Sequence, residues 1–222
     1  MMWKSPTALL LALATLGQPA FAQSHDHTTG YRKCSLHNLA ACDNSNELFW
    51  GRWSKNGKAV RKDEFPDALM RFLRGAPELY LGRFGFEPAQ VASESMVGPG
   101  SHHDALPDGY WFFDGFTPHE ALDQAAVLFD AKGTVVAVAL LNTDVDERNA
   151  KALTAADLSR YRLRIYCHAP ELPAALMKVL TDWGRQATPK GSMYRGVFPD
   201  SSLIGTELIV LHGQEWRIRA LP

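Results

Sequence analysis

The chain has 222 residues and a formal net charge of −1, with 23 Lys and Arg against 24 Asp and Glu. That balance leaves no electrostatic footprint for nucleic acid or an anionic membrane, so partners must be met by shape and local chemistry. Beyond the N-terminus no stretch approaches the ~20 consecutive apolar residues of a membrane-spanning helix, which argues against a membrane span in the body of the chain.

Residues 1–22 hold one Lys, an apolar core from Ala8 to Leu16 and a small-x-small ending at Ala20 and Ala22, the pattern of a secretory signal peptide. The mature chain is then expected to begin at Gln23 and to be periplasmic or secreted. Residues 23–62 form an N-terminal segment with a polar, His-bearing start. Its Cys34 and Cys42 can close a local disulfide loop in an oxidising compartment. Of the three cysteines, Cys167 is left over and reads as a buried free thiol in a strand.

Residues 63–75 predict a helix, with Asp63 as N-cap, Pro66 in the first turn, Phe65, Leu69, Phe72 and Leu73 at helical spacing, and Gly75 as the stop. Residues 76–109 are rich in Pro and Gly and read as short extended pieces and a loop. Residues 110–141 predict strand, loop, strand, tight turn, strand. Tyr110 to Phe113 is aromatic, Ala125 to Phe129 is apolar, Gly133 occupies the turn position that tolerates positive φ, and 134–141 is dense in Val and Leu. The first loop carries Pro118, His119 and Glu120. Pro118 fixes its own φ and biases Thr117 away from helix, so His119 rides on a stiffened loop.

Thr154 to Asp157 resembles a capping box opening at most one helical turn before a strand at 161–166. A second helix is expected from about Pro170 to Trp183, with Leu172, Leu176, Val179, Leu180 and Trp183 on one face and Gly184 ending it. Residues 187–222 form a C-terminal extension containing a hairpin. Its strands are 207–211 and 216–221, and Trp216, Ile218 and Ala220 alternate against Arg217 and Arg219. The expected class is α+β, an antiparallel β-sheet with two packed helices plus the C-terminal hairpin, and residues 63–186 form the main domain.

Residues 63–141 resemble the Ivy proteins, secreted bacterial inhibitors of C-type lysozyme. The family runs from an amphipathic helix through an Ala/Pro linker and a strand to a Cys-Lys-Pro-His-Asp-Cys loop, then two strands joined by a short turn. Here the order is the 63–75 helix, Phe86-Glu-Pro-Ala-Gln90, the Tyr110 strand, Phe116-Thr-Pro-His-Glu-Ala121 and the strands at 125–129 and 135–141. Pro118 and His119 match, and Glu120 stands for the Asp. Thr117 replaces the Lys, while Phe116 and Ala121 replace the two cysteines. The resemblance implies that His119 enters the cleft of a lysozyme or another peptidoglycan-cleaving hydrolase and engages its two catalytic carboxylates, with Thr117, Pro118 and Glu120 as further partner-binding residues. An imidazole offered to acidic groups is sound chemistry for such a plug.

Other classes have weaker footing. An immunity or binding protein for another partner would use the same loop. The expected terminus Gln23-Ser24-His25 could chelate Cu(II) or Ni(II) through a free amine, aided by His27, His102 and His103. A hydrolytic enzyme would have to draw on Asp114, Glu120, Asp123 and Asp130, which strand alternation scatters, and no Ser-His-Asp spacing, phosphate loop or His-x-x-x-His pair is present. Cys167 and His168, adjacent on a strand, point to opposite faces and make no nucleophile pair. The tryptophans Trp50, Trp53, Trp111 and Trp183 are assigned to packing. The reading is therefore a non-enzymatic binder with no cofactor and no structural metal, its pairing into a homodimer left open.

Overall fold

A computed structural model of the chain describes residues 34–53, 59–81, 84–97, 103–116, 123–143, 159–188 and 201–222. The expected signal peptide, the His25 and His27 tail, His102, the 117–122 loop and the 154–157 capping box lie outside the described residues. In chain order the elements are α1 (Asn46–Phe49), β1 (Trp50–Trp53), β2 (Ala59–Arg61), α2 (Glu64–Phe72), β3 (Leu79–Leu81), β4 (Phe84–Phe86), α3 (Pro88–Met96), β5 (His103–Ala105), β6 (Trp111–Phe116), β7 (Gln124–Phe129), β8 (Val135–Thr143), β9 (Arg160–Cys167), α4 (Ala174–Ala187), β10 (Ser202–His212) and β11 (Glu215–Leu221).

Strands β5 to β11 form one seven-stranded sheet in the order β11-β10-β9-β8-β7-β6-β5, beside two small hairpins, β1-β2 and β3-β4. The α+β class holds. The sheet is antiparallel except where β10 runs parallel to β9. That departure follows from α4: the chain leaves the end of β9, crosses one face as a helix and returns to the end where β9 began, as a parallel pair requires. The C-terminal hairpin is thereby continuous with the main sheet, closed by a two-residue turn between His212 and Glu215.

Strand alternation divides the core in two. On one face Phe113, Val127, Phe129, Val138, Leu140, Tyr166, Ile209 and Leu211 pack against α1, α2, α3 and the 34–42 loop. On the other, Ala126, Leu128, Ala137, Ala139, Leu141, Leu163, Ile165, Leu208 and Val210 pack against Leu176, Leu180 and Trp183 of α4. Strands β7 and β8 are therefore buried on both sides, which is why they read as near-continuous apolar runs.

Helix α2 matches its expectation: Phe65, Leu69 and Phe72 are buried and Gly75 follows the helix at φ 79°. The Asp63 side chain makes no capping hydrogen bond. Two further helices were not expected. The short α1 buries Leu48 and Phe49, and α3 falls in the span read as extended pieces and loop. Pro88 opens α3, a position where its missing N–H is no loss, and Val91, Ala92, Ser95 and Met96 are buried. Small residues in α3 give a weak amphipathic signal, so its stability comes from packing. Helix α4 begins at Ala174 and runs through Gly184 to Ala187. Gly184 does not stop it. A Cβ there would lie 2.6 Å from Leu163 Cδ2, so the glycine lets the helix approach the sheet. Trp183 is buried and Trp50 and Trp111 pack at the rim of the first core, whereas the Trp53 side chain lies outside the described residues.

Candidate functional site

Phe116 closes β6 opposite Gln124, the first residue of β7, so residues 117–123 connect two neighbouring antiparallel strands at one end of the sheet. Thr117, Pro118, His119 and Glu120 lie outside the described residues; the base that carries them is described fully. It is gripped from both faces. On the α3 side, Gly115 meets the last turn of the helix so closely that a Cβ would lie 2.7 Å from the Ser95 carbonyl oxygen. On the α4 side, Trp183 Nε1 donates to Asp114 Oδ2 at 3.0 Å, and Gln124 Nε2 donates to the Ala187 carbonyl at 2.7 Å. The second of these satisfies a carbonyl at the helix C-terminus that has no partner within the helix. Asp114, weighed above as an acid near His119, is thus committed to the fold.

The same end of the sheet holds a polar network that sequence reading missed. Arg162 Nη1 lies 3.2 Å from Glu207 Oε1, Arg164 Nε lies 3.6 Å from Glu207 Oε2, and Arg164 Nη1 donates to Asn142 Oδ1 at 2.9 Å. The side chains line up across β8, β9 and β10 on the face opposite α4 and are largely shielded from solvent. Tyr166, on the same face of β9, is buried, and burial pushes its phenol pKa up strongly. The only sequence signal was the Arg-Tyr-Arg-Leu-Arg alternation of 160–164, which ordinarily marks a solvent-facing stripe.

At the opposite end, the 130–134 turn has Asp130 Oδ1 accepting from the backbone N–H of Lys132 and Thr134, and Gly133 at φ 77°. Beside it opens a pocket of about 460 Å³ lined by Leu36, His37, Glu64, Arg71, Phe72 and Lys132 among others. The Cys34–Cys42 disulfide is formed, with Cα atoms 4.5 Å apart, and its loop packs over this turn. Lys62 Nζ ties the loop down by donating to the Cys34 carbonyl at 2.7 Å and the Glu47 carbonyl at 2.9 Å. Burial lowers the Lys62 pKa, and Glu47 and Glu64 oppose that shift.

Comparison of the chain with protein-family models, with curated proteins and with solved structures finds no match. Cys167 is a buried free thiol, as its strand setting implied, and burial pushes its pKa up to about 11. Its Sγ contacts the Ala169 carbonyl. The next residue, His168, turns both ring nitrogens to backbone carbonyls, Nδ1 to Leu211 at 3.2 Å and Nε2 to Phe72 at 2.8 Å. Neither side chain serves the other. Among the described residues, no group of three or more His, Cys, Asp or Glu side chains converges as a metal site. His103 stacks beside Trp111 and Phe113 and holds the Asp43 carbonyl through Nδ1 at 2.9 Å.

Proposed function

We propose that this chain is an exported binding protein that inhibits a peptidoglycan-cleaving hydrolase by presenting Thr117, Pro118, His119 and Glu120 to its active-site cleft, with His119 facing the catalytic carboxylates. The observation that carries the reading is the double grip on the β6–β7 base, α3 against Gly115 and α4 against Asp114 and Gln124. A loop lacking the cysteines of the proteins it resembles must take its preorganisation from elsewhere, and a base immobilised on both faces lowers the ordering cost on binding. The Cys34–Cys42 disulfide is in keeping with an oxidising compartment such as the periplasm. The loop acts as a plug and performs no chemistry of its own.

The test is inhibition of C-type lysozyme acting on bacterial cell walls by the purified chain. Dose-dependent inhibition near one-to-one stoichiometry is expected. His119→Ala should weaken it by about tenfold or more, the loss of one charge-assisted hydrogen bond, with an unchanged circular dichroism spectrum. Equal inhibition by the variant would remove His119 from the interface. Absence of inhibition by the parent chain would redirect the reading to a different partner, a peptidoglycan-cleaving toxin or an endogenous lytic enzyme.

A further inference from the structure

Strand β11 is the outer edge of the sheet, and Glu215 to Ala220 are all exposed, with Trp216 at 44% and Ile218 at 49%. Among the described residues, the strand is held in place without being covered. It pairs with β10 from Thr206↔Leu221 to His212↔Glu215, β10 is locked to β9, and the turn at Gly213 abuts Gly75 after α2. An edge this long and this ordered, carrying two large apolar side chains on one face, is a template for strand addition.

The two-residue turn fixes which backbone groups point outward. Glu215, Arg217 and Arg219 exchange their hydrogen bonds with β10, and Trp216, Ile218 and Ala220 turn their N–H and C=O groups to the open side. The side chains then determine what can pair there. Two β11 strands related by a two-fold axis at Arg217 would set each Glu215 opposite the other copy's Arg219 and each Trp216 opposite the other copy's Ile218. Only Arg217 would face its own copy. Moving the axis to Ile218 sets Arg217 against Arg219 twice, and moving it to Trp216 leaves three residues in the ladder. Glu-Trp-Arg-Ile-Arg is thus self-complementary in one antiparallel register, which is what an isologous contact requires. The competing partner of Arg219 is weak: Glu171 at 3.8 Å, with both side chains more than half exposed.

We infer that β11 is a homodimerisation edge, joining two copies through antiparallel β11–β11 pairing centred on Arg217 into a continuous two-copy sheet. The contact buries Trp216 and Ile218 of both copies on one face. On the other it forms two Glu215–Arg219 ion pairs. This contact lies on strands remote from the 117–122 connection and does not depend on the inhibitor reading.

Sedimentation of the intact chain over about 1 to 200 µM tests it, and a concentration-dependent dimer is expected. E215R or R219E alone should raise the dissociation constant about tenfold or more, since each turns two cross-strand attractions into repulsions, and the E215R/R219E double variant should return it close to the parent value. Circular dichroism verifies that each variant is folded. A chain that stays monomeric throughout overturns the proposal. So does a double variant no better than the singles, or rescue of E215R by R217E in place of R219E, which would select the shorter register.

Discussion

The two faces of the sheet are covered by different means. One sets Ala126, Ala137 and Ala139 among aliphatic residues such as Leu128, Leu141, Leu163 and Ile165, under a single 14-residue helix, α4, which packs down through Leu176, Leu180 and Trp183. The other is built on aromatic contacts, with Phe113 and Phe129 edge-on at 5.6 Å, Phe65 against Phe129 at 5.6 Å and Phe49 against Phe65 at 4.9 Å. These are covered by three short helices and a disulfide-closed loop. A helix of 14 residues spreads its packing over several turns, whereas the short pieces depend on the few contacts that pin them. The first face should therefore tolerate loss of one contact, and the second should fail at its pins.

Gly133 is the severest pin. It adopts φ 77° and an added Cβ would collide with the Leu36 carbonyl, so Gly133→Ala forces both strained backbone and displacement of the 34–42 loop. We expect a loss of about 3 kcal/mol or more, read by urea denaturation. A loss under about 1 kcal/mol would mean that the loop is not seated on the turn. Next comes the disulfide: Cys34→Ser with Cys42→Ser should lower stability by about 2.5 kcal/mol on the loop-closure argument, with a matching fall on reduction of the parent chain. If reduction leaves the denaturation midpoint unchanged, the Lys62 hydrogen bonds and the seat of Leu36 on Gly133 hold the loop without the disulfide. The smallest effect belongs to the α4 face. Trp183→Phe keeps most of the ring and removes the hydrogen bond to Asp114, which should lower stability by about 1 kcal/mol. If the polar grip matters to the loop, the same variant should also weaken the hydrolase inhibition we propose, and unchanged inhibition would separate the base from binding.

Legibility followed the same division. The α4 apolar stripe and the Val- and Leu-rich β8 were readable because their periodicity spans enough residues to outweigh chance. Helix α3 was not readable, because a nine-residue segment built on Ala and Ser between Pro- and Gly-rich flanks has little pattern of its own. Gly184 misled as a helix stop because its role is set by Leu163, a residue of another element. The candidate loop was singled out by Pro118, His119 and Glu120 alone. Its supports, Trp183 and Ala187, lie more than sixty positions along the chain from Asp114 and Gln124 and carry no local mark of the task.

What the sequence determined by itself was local: the apolar runs of β6 to β8, the tight turn at Gly133, the α2 and α4 stripes and the alternation of the terminal hairpin, whereas Cys34 and Cys42 were an available pair that the structure joins. Each rests on residues within a few positions of one another, where period and turn chemistry act directly. Only the tertiary structure decided that β10 runs parallel to β9, that Arg162, Arg164 and Glu207 meet, and that β11 is the edge strand among the described residues. Those depend on where α4 returns the chain, a long-range packing choice that no short window of sequence encodes.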